Sequence, residues 1–98
     1  MEVVAIGSRA FVNAFRLAGI KGVEVSSPEE MLRTVNNLIK TGGVGLILLS
    51  DDLAREIRIK LAEIKKRYAT PLIYELPAPG SKPEQIDYMQ LVKEIVGV

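Results

Sequence analysis

Four short apolar runs, separated by stretches of helical periodicity, constrain the fold of this chain more than any other feature of its sequence. The third run is the strongest and is apolar on both faces, whereas the second is short and weak. Strands that are apolar throughout, without polar alternation, are typical of a parallel sheet covered by helices on both faces. The runs are Val3–Ile6, Val23–Val25, Val44–Leu49 and Leu72–Leu76.

The first two stretches between the runs have clear helix signals. The first, from about Ser8 to Ala18, is predicted to bury Phe11, Val12 and Phe15 and to end at Gly19. The second begins with a capping box of Ser27 and Glu30 around Pro28, and ends at Gly42-Gly43. Its apolar stripe is Met31, Leu32, Val35, Leu38 and Ile39.

The third stretch, from Asp51 to about Tyr68, follows the same pattern. Acidic residues stand at its start and basic residues at its end, which complements the helix dipole. Its predicted stripe is Ala54, Ile57, Leu61, Ile64 and Tyr68. The resulting order β-α-β-α-β-α-β, joined by right-handed crossovers, predicts a small doubly wound, Rossmann/receiver-like α/β domain with four parallel strands. The first and third strands are expected to be central and the weak second strand to lie at an edge.

The chain is predicted to divide into an α/β domain at residues 1–76, a Pro-rich hinge at 77–83 and a C-terminal helix at 84–98. Ser81 and Glu84 form a further capping box, which predicts a helix from there to about Val96. Apart from Ala78 the hinge has no apolar anchor. The helix presents an apolar stripe that packs either on its own sheet or on a partner. The candidate partner-binding residues are Tyr88, Met89, Leu91, Val92 and Ile95.

Composition excludes several kinds of function. The chain of 98 residues contains no Cys and no His, so it lacks disulfides, thiolate metal ligands and the commonest general base. Its 13 basic and 12 acidic residues leave a net charge of +1, which argues against a surface built to hold nucleic acid or anionic lipid. No apolar run is long enough to span a bilayer. We therefore expect a cytoplasmic, non-catalytic domain without a cofactor or metal.

Two segments follow strands where doubly wound folds place their active sites. Gly7-Ser8-Arg9 contains neither of the glycine patterns that cradle nucleotide phosphates, and is interpreted as turn geometry. Asp51 and Asp52 follow the third run, where a receiver domain carries its phospho-accepting aspartate. Because no acidic residue follows the first run to complete a Mg²⁺ site, both are interpreted as helix-starting acids.

A basic cluster lies on the third helical stretch, at Lys60, Lys65, Lys66 and Arg67. Such a cluster suits RNA or an acidic protein face. Glu56 and Glu63 stand four residues before Lys60 and Arg67, which favours a solvated helix end with internal charge pairs.

Several segments, in order along the whole chain, together form a recognisable family pattern. They are Val4–Gly7, Phe15–Ile20, Gly43–Ala54, Pro71–Pro77 and Leu91–Val98. In these segments the chain resembles the F subunit of the V-type/A-type rotary ATPases. It departs from the family pattern at Ala14, where Gly is frequent, and at Ser8-Arg9, where an acidic pair is frequent.

This resemblance implies a non-catalytic component of the central stalk, the rotor, which couples ATP synthesis or hydrolysis to ion transport. It implies binding to the coiled-coil shaft, the D subunit, inside the ring of A and B subunits. It also implies a receiver-like domain followed by a mobile C-terminal helix, and a peripheral position at the membrane through the complex.

The alternative is an RNA-binding domain that resembles the kink-turn-binding ribosomal proteins. Residues 43–73 look like the strand–Asp-Asp–helix–Pro-strand unit of that family. However, Gly7–Phe11 contains neither the Asn nor the Lys of the family's RNA-contacting loop, and the near-neutral charge also counts against RNA.

The missing acidic pair predicts that Asp51 is not a phosphoacceptor. Incubation with small phosphodonors should leave the mass of the protein unchanged. An added phosphoryl group, or Mg²⁺ binding that disappears in Asp51→Asn, would contradict this interpretation.

Overall fold

A computed structural model describes residues 2–79 and 87–97 of the chain and contains one four-stranded sheet. All neighbouring strands are parallel and their order is β2-β1-β3-β4. The predicted α/β fold class and the central position of the first and third strands are thereby confirmed. The strands are β1 (Glu2–Gly7), β2 (Lys21–Glu24), β3 (Val44–Ser50) and β4 (Leu72–Leu76).

Strand β2 is the one whose bounds differ most from the prediction. It starts two residues earlier, at Lys21, because Lys21 and Gly22 pair with Val4 and Ala5 of β1. Val25 lies beyond the strand, although its N–H donates to the Gly7 carbonyl at 2.9 Å and its side chain is buried. The apolar residues therefore indicate where this segment is buried, whereas backbone pairing determines where the strand begins.

The predicted helices are present. In α2, Ser27 Oγ accepts a hydrogen bond from the Glu30 N–H at 3.1 Å, which confirms the predicted cap. Gly42 and Gly43, both at positive φ, end this helix as predicted. The helices are α1 (Arg9–Leu17), α2 (Pro28–Thr41), α3 (Asp51–Ala54), α4 (Arg58–Arg67) and α5 (Tyr88–Val96).

The third helical stretch differs from its prediction in two respects. A 3₁₀ turn at Arg55–Ile57 separates α3 from α4, although no Gly or Pro marks the break. Ala54, Ile57 and Leu61 are buried as predicted. The assignment of Tyr68 to the stripe is wrong. This residue has extended backbone angles (φ −122°, ψ 124°) just past the end of α4, so its side chain leaves the stripe and is exposed.

Two hydrophobic clusters lie on opposite faces of the sheet. On one face, α2, α3 and α4 cover Val4 and Ile6 of β1 and Ile47 and Leu49 of β3. On the other face, α1 and α5 cover Ala5, Leu46, Leu48 and Leu76. Because successive side chains of a strand point to opposite faces, β3 contributes to both clusters.

Helix α5 begins at Tyr88, later than predicted. Asp87 is its N-cap, with Oδ1 accepting a hydrogen bond from the Gln90 N–H at 3.1 Å. The predicted capping box of Ser81 and Glu84 lies outside the described residues. The division of the chain at 76/77 and 83/84 stays a prediction. Within the described ranges, no helix combines the length and apolar character that crossing a membrane requires.

Gly7 lies where β1 passes closest to β3 and α1. A Cβ at this position would lie 2.5 Å from Ser50 Oγ and 2.8 Å from the Phe11 ring. We expect Gly7→Ala to lower the free energy of unfolding by about 1–3 kcal/mol, because the overpacked side chains must shift. Urea denaturation measures the change.

Two further variants make this prediction specific. Ser50→Ala removes the hydroxyl that crowds the new Cβ, so the double variant should recover part of the lost stability. Ser8→Ala, at a neighbouring N-cap whose side chain makes no capping hydrogen bond, should change stability little. Equal effects of Gly7→Ala and Ser8→Ala would contradict the crowding.

Candidate partner-binding helix

The apolar stripe of α5 packs on its own domain. Val92 is buried in the cluster beneath α1, and Tyr88, Leu91 and Ile95 pack against the same cluster. Met89, the fifth candidate residue, is 41% exposed and lies outside this contact. Of the two expected locations for the stripe, the structure therefore has the one on the chain's own sheet.

An aromatic cluster of Phe11, Phe15 and Tyr88 joins α5 to α1. The Tyr88 ring centroid lies 4.9 Å from that of Phe15, with the planes tilted by 47°. It lies 5.5 Å from that of Phe11 in an edge-to-face arrangement, and the two phenylalanine rings are 5.0 Å apart. Such aromatic pairs contribute roughly 0.5–1.5 kcal/mol beyond the burial of their area.

The Tyr88 hydroxyl connects the start of α5 to the end of the sheet. It donates a hydrogen bond of 2.6 Å to the carbonyl of Pro77, the first residue after β4. Burial raises the pKa of Tyr88 to about 12, and the negative charges of Asp51 and Asp52 act in the same direction. The neutral hydroxyl is thus the form that the folded protein favours.

Asp51 binds the residue that follows Pro77. Its Oδ1 accepts a hydrogen bond of 3.0 Å from the N–H of Ala78, whose side chain is buried. Asp52 has the local role that the sequence predicts, with Oδ1 accepting from the Leu53 N–H at 2.9 Å. Sequence reasoning missed the role of Asp51 because its partner is a backbone group 27 residues away. The first two residues of the predicted hinge are thereby held by hydrogen bonds, Pro77 to Tyr88 of α5 and Ala78 to Asp51 of α3.

The carboxyl end of β1 has a different character. Ser8 is the N-cap of α1 and has extended backbone angles, but its side chain makes no capping hydrogen bond. Arg9 forms an exposed ion pair of 3.4 Å with Glu24.

Ser50 is fully buried at the end of β3, and its hydroxyl has no hydrogen-bond partner among the described residues. Within residues 2–79 and 87–97, His, Cys, Asp and Glu side chains form no group of three that could hold a metal ion.

The basic cluster is exposed, but its predicted charge pairs do not form. Across the part of the chain that the structure describes, neither Glu56–Lys60 nor Glu63–Arg67 is among the ion pairs. Glu75 of β4 instead binds Arg58 at 2.9–3.1 Å, with both carboxylate oxygens accepting hydrogen bonds. This contact raises the pKa of Arg58 above its ordinary value. The residues are 17 positions apart, so helical spacing gives no sign of the pair.

Side chains attach α5 to the rest of the domain. Among the described residues, α5 contacts the domain through its apolar face, through the aromatic cluster that Tyr88 forms with α1, and through the Tyr88 hydroxyl. Each buried apolar side chain contributes about 1.5–3 kcal/mol before the cost of ordering the helix. The segment Pro77–Ala78, to which the Tyr88 hydroxyl binds, is held in place by strand β4 and by the Asp51–Ala78 hydrogen bond.

Tyr88→Phe tests the hydroxyl contact. The ring remains while the hydrogen bond to Pro77 is lost, so the free energy of unfolding should fall by about 0.5–1.5 kcal/mol near neutral pH. Because the folded state raises the pKa from 10 to about 12, the neutral hydroxyl contributes fully below pH 10 and loses its contribution as pH rises towards 12. The stability difference between the wild type and the variant should therefore shrink across this window in urea titrations.

Tyr74→Phe is the matched control, since Tyr74 lies on the exposed part of β4. It should alter stability little at neutral pH. A difference between the wild type and Tyr88→Phe that stays constant from pH 9 to pH 12 would show that the hydroxyl is not part of the α5 contact.

Comparison with known proteins identifies the family. The sequence profile of the ATP synthase (F/14-kDa) subunit matches residues 3–93. The F subunit of the A-type ATP synthase of Methanocaldococcus jannaschii is 33% identical over 100% of this chain and 97% of its own length. The corresponding protein of Methanothermobacter thermautotrophicus is 31% identical over 99% of this chain and 93% of its own length. The match leaves the RNA-binding alternative without support. It confirms the resemblance found along the sequence, and the chain belongs to the family of F subunits of the A-type ATP synthases.

Proposed function

We propose that this chain is the non-catalytic F subunit of the central stalk of a rotary ATPase. In this role it binds the coiled-coil shaft, the D subunit, and turns with it inside the ring of A and B subunits. It couples ATP synthesis or hydrolysis to ion transport without carrying out either reaction. The complex holds it on the cytoplasmic side of the membrane. The family match over residues 3–93 supports the assignment to such a complex.

The observation that carries the binding role is the character of α5. It is a short helix with one apolar face, and it follows a segment anchored at Pro77 and Ala78. A helix of this kind can lie along a coiled coil and add its stripe to the apolar seam of the partner. The shaft then replaces the contacts that α5 makes with α1.

Docking on the home domain and binding to the shaft compete for the same side chains. Tyr88, Leu91, Val92 and Ile95 face the domain in the docked helix, so these four residues reach the shaft only after α5 is released. Met89 is exposed in the docked helix and adds to the shaft contact. The two positions are alternative states whose populations the shaft shifts by binding one of them.

The absence of His and Cys from the sequence fits a structural role, since the commonest general base and the thiol nucleophile are both missing. Asp51 and Asp52 are engaged by backbone N–H groups of Ala78 and Leu53. These acidic residues thus have structural partners at the sheet edge.

Met89→Asp separates shaft binding from docking. Because Met89 lies outside the contact between α5 and its own domain, the introduced aspartate should leave the free energy of unfolding within about 0.5 kcal/mol of the wild-type value. It should weaken binding to the purified shaft at least about tenfold, since a charge then enters an apolar helix interface. Isothermal titration of the coiled-coil portion of the shaft with the full chain measures the affinities of the wild type and the variant.

Ile59→Asp is the matched control, because Ile59 is 80% exposed on α4, away from α5. It should bind the shaft as the wild type does. Truncation after Pro79 provides a second test, in which a folded remainder with weakened binding supports the proposal. A wild-type chain that does not bind the shaft would contradict it, and a remainder that unfolds would make α5 part of the core.

A further inference from the structure

The two edges of the sheet are protected differently. On the β2 edge, Lys21 and Glu24 carry charges that each pair with a side chain of a neighbouring element. Arg16 donates a hydrogen bond of 3.2 Å to the Gly22 carbonyl in the same strand. Charged side chains along an edge strand and capped backbone groups are the usual means of preventing further strand pairing. The β2 edge thus carries two paired charges and one capped carbonyl, which disfavour pairing with a further strand.

The outer edge of β4 is more apolar, and its one charged residue, Glu75, is paired with Arg58 of α4. Among the described residues no strand pairs with this edge, and Leu72 and Tyr74 are 48% and 40% exposed. These two side chains share one face of the strand, since they are two positions apart. An exposed edge with apolar side chains presents unpaired N–H and C=O groups together with a surface that binds apolar side chains.

A cavity of about 280 Å³ lies beside this edge. It is lined by Tyr68, Pro71, Leu72 and Tyr74, with Lys65 contributing the charged part of its wall. Tyr68 is exposed here because it leaves the stripe of α4. Tyr68, which the sequence pattern wrongly assigned to the stripe, therefore supplies an aromatic side chain to the cavity wall.

The charge at this edge is positive. Lys65, Lys66 and Arg67 end α4 and are exposed, and Lys65 reaches the cavity wall. The one acidic residue of β4, Glu75, is already bound on both carboxylate oxygens by Arg58. An acidic side chain of a partner would therefore form an ion pair with Lys65 at the cavity.

We propose that the outer edge of β4 binds an extended acidic segment of a partner protein as a fifth strand of the sheet. Backbone hydrogen bonds to Leu72–Leu76 hold the segment. Its alternate side chains divide between the two faces, with apolar residues against Leu72 and Tyr74 and acidic residues towards Lys65. The partner segment therefore alternates apolar and acidic residues.

A second copy of this chain fits the edge less well. The β4 segment of a second copy would bring only one carboxylate, that of Glu75, and Arg58 already binds it. Pairing of β4 with the β4 strand of a second copy therefore supplies no free acid for Lys65. The proposal goes beyond the shaft-binding role, because α5 packs on α1 and Leu76 and leaves Leu72 and Tyr74 exposed.

A labelled peptide of sequence Val-Glu-Val-Asp-Val-Glu-Val tests the proposal on the full chain. Fluorescence anisotropy gives the affinity, and amide chemical shifts locate the contact. We expect binding, with the largest shifts in residues 72–76. Tyr74→Lys and Lys65→Glu should each weaken it about tenfold or more, whereas Ile59→Lys on exposed α4 should leave it unchanged.

Two changes in the peptide keep the test independent of protein folding. Replacing its acids by lysine should abolish binding to the wild type and restore it with Lys65→Glu. N-methylation of alternate amides should abolish binding where the methylated groups face the strand. Circular dichroism confirms that each protein variant is folded.

Three outcomes would overturn the proposal. They are no binding of the acidic peptide, binding that Tyr74→Lys leaves unchanged, and concentration-dependent dimerisation of the free chain that Tyr74→Lys abolishes. The last would assign the edge to a second copy. Shaft binding is measured with the purified shaft and Met89→Asp, so failure of that role is recognised separately.

Discussion

The burial of β3 on both faces is the constraint on which the rest of the structure depends. Leu46 and Leu48 extend into the cluster under α1 and α5, and Ile47 and Leu49 into the cluster under α2, α3 and α4. All four are essentially without solvent exposure. Burial of each such side chain contributes roughly 1.5–3 kcal/mol to stability. Because β3 is packed on both faces, this strand joins both layers of helices to one sheet. The parallel neighbours β1 and β4 take their positions from it.

The sequence is sufficient to predict the strands, their order and most helix bounds, because these follow from local patterns. The unbroken apolar run at Val44–Leu49 predicts a central parallel strand, and the cap at Ser27 predicts the start of α2. It is insufficient where the backbone departs from periodicity. The 3₁₀ turn at Arg55–Ile57 has no breaker residue, and the exposure of Tyr68 follows from the extended backbone just past α4. The start of β2 depends on pairing with β1, which the side chains of Lys21 and Gly22 do not encode.

The candidate site is predictable to a similar extent. Helical spacing identifies the apolar stripe of α5, and four of its five residues do form one contact surface. The contacts that attach this helix are not predictable, because they join residues distant in sequence. Tyr88 bonds a carbonyl 11 residues earlier and Asp51 an N–H 27 residues later. Charge spacing along the third helical stretch is misleading, because Glu56 and Glu63 suggest local pairs with Lys60 and Arg67. The ion pair that forms instead joins Arg58 to Glu75.

The hydrogen bond between Asp51 and Ala78 has a consequence for how the two positions tolerate substitution. The acceptor is a side chain, so position 51 requires a carboxylate or amide oxygen at the distance that aspartate or asparagine provides. The donor is a main-chain N–H, which every residue except proline supplies. Position 78 is restricted only by the small buried space around its methyl group. The sequence requirement of this hydrogen bond thus lies almost entirely at position 51, and replacement of Ala78 by glycine or serine leaves the bond intact.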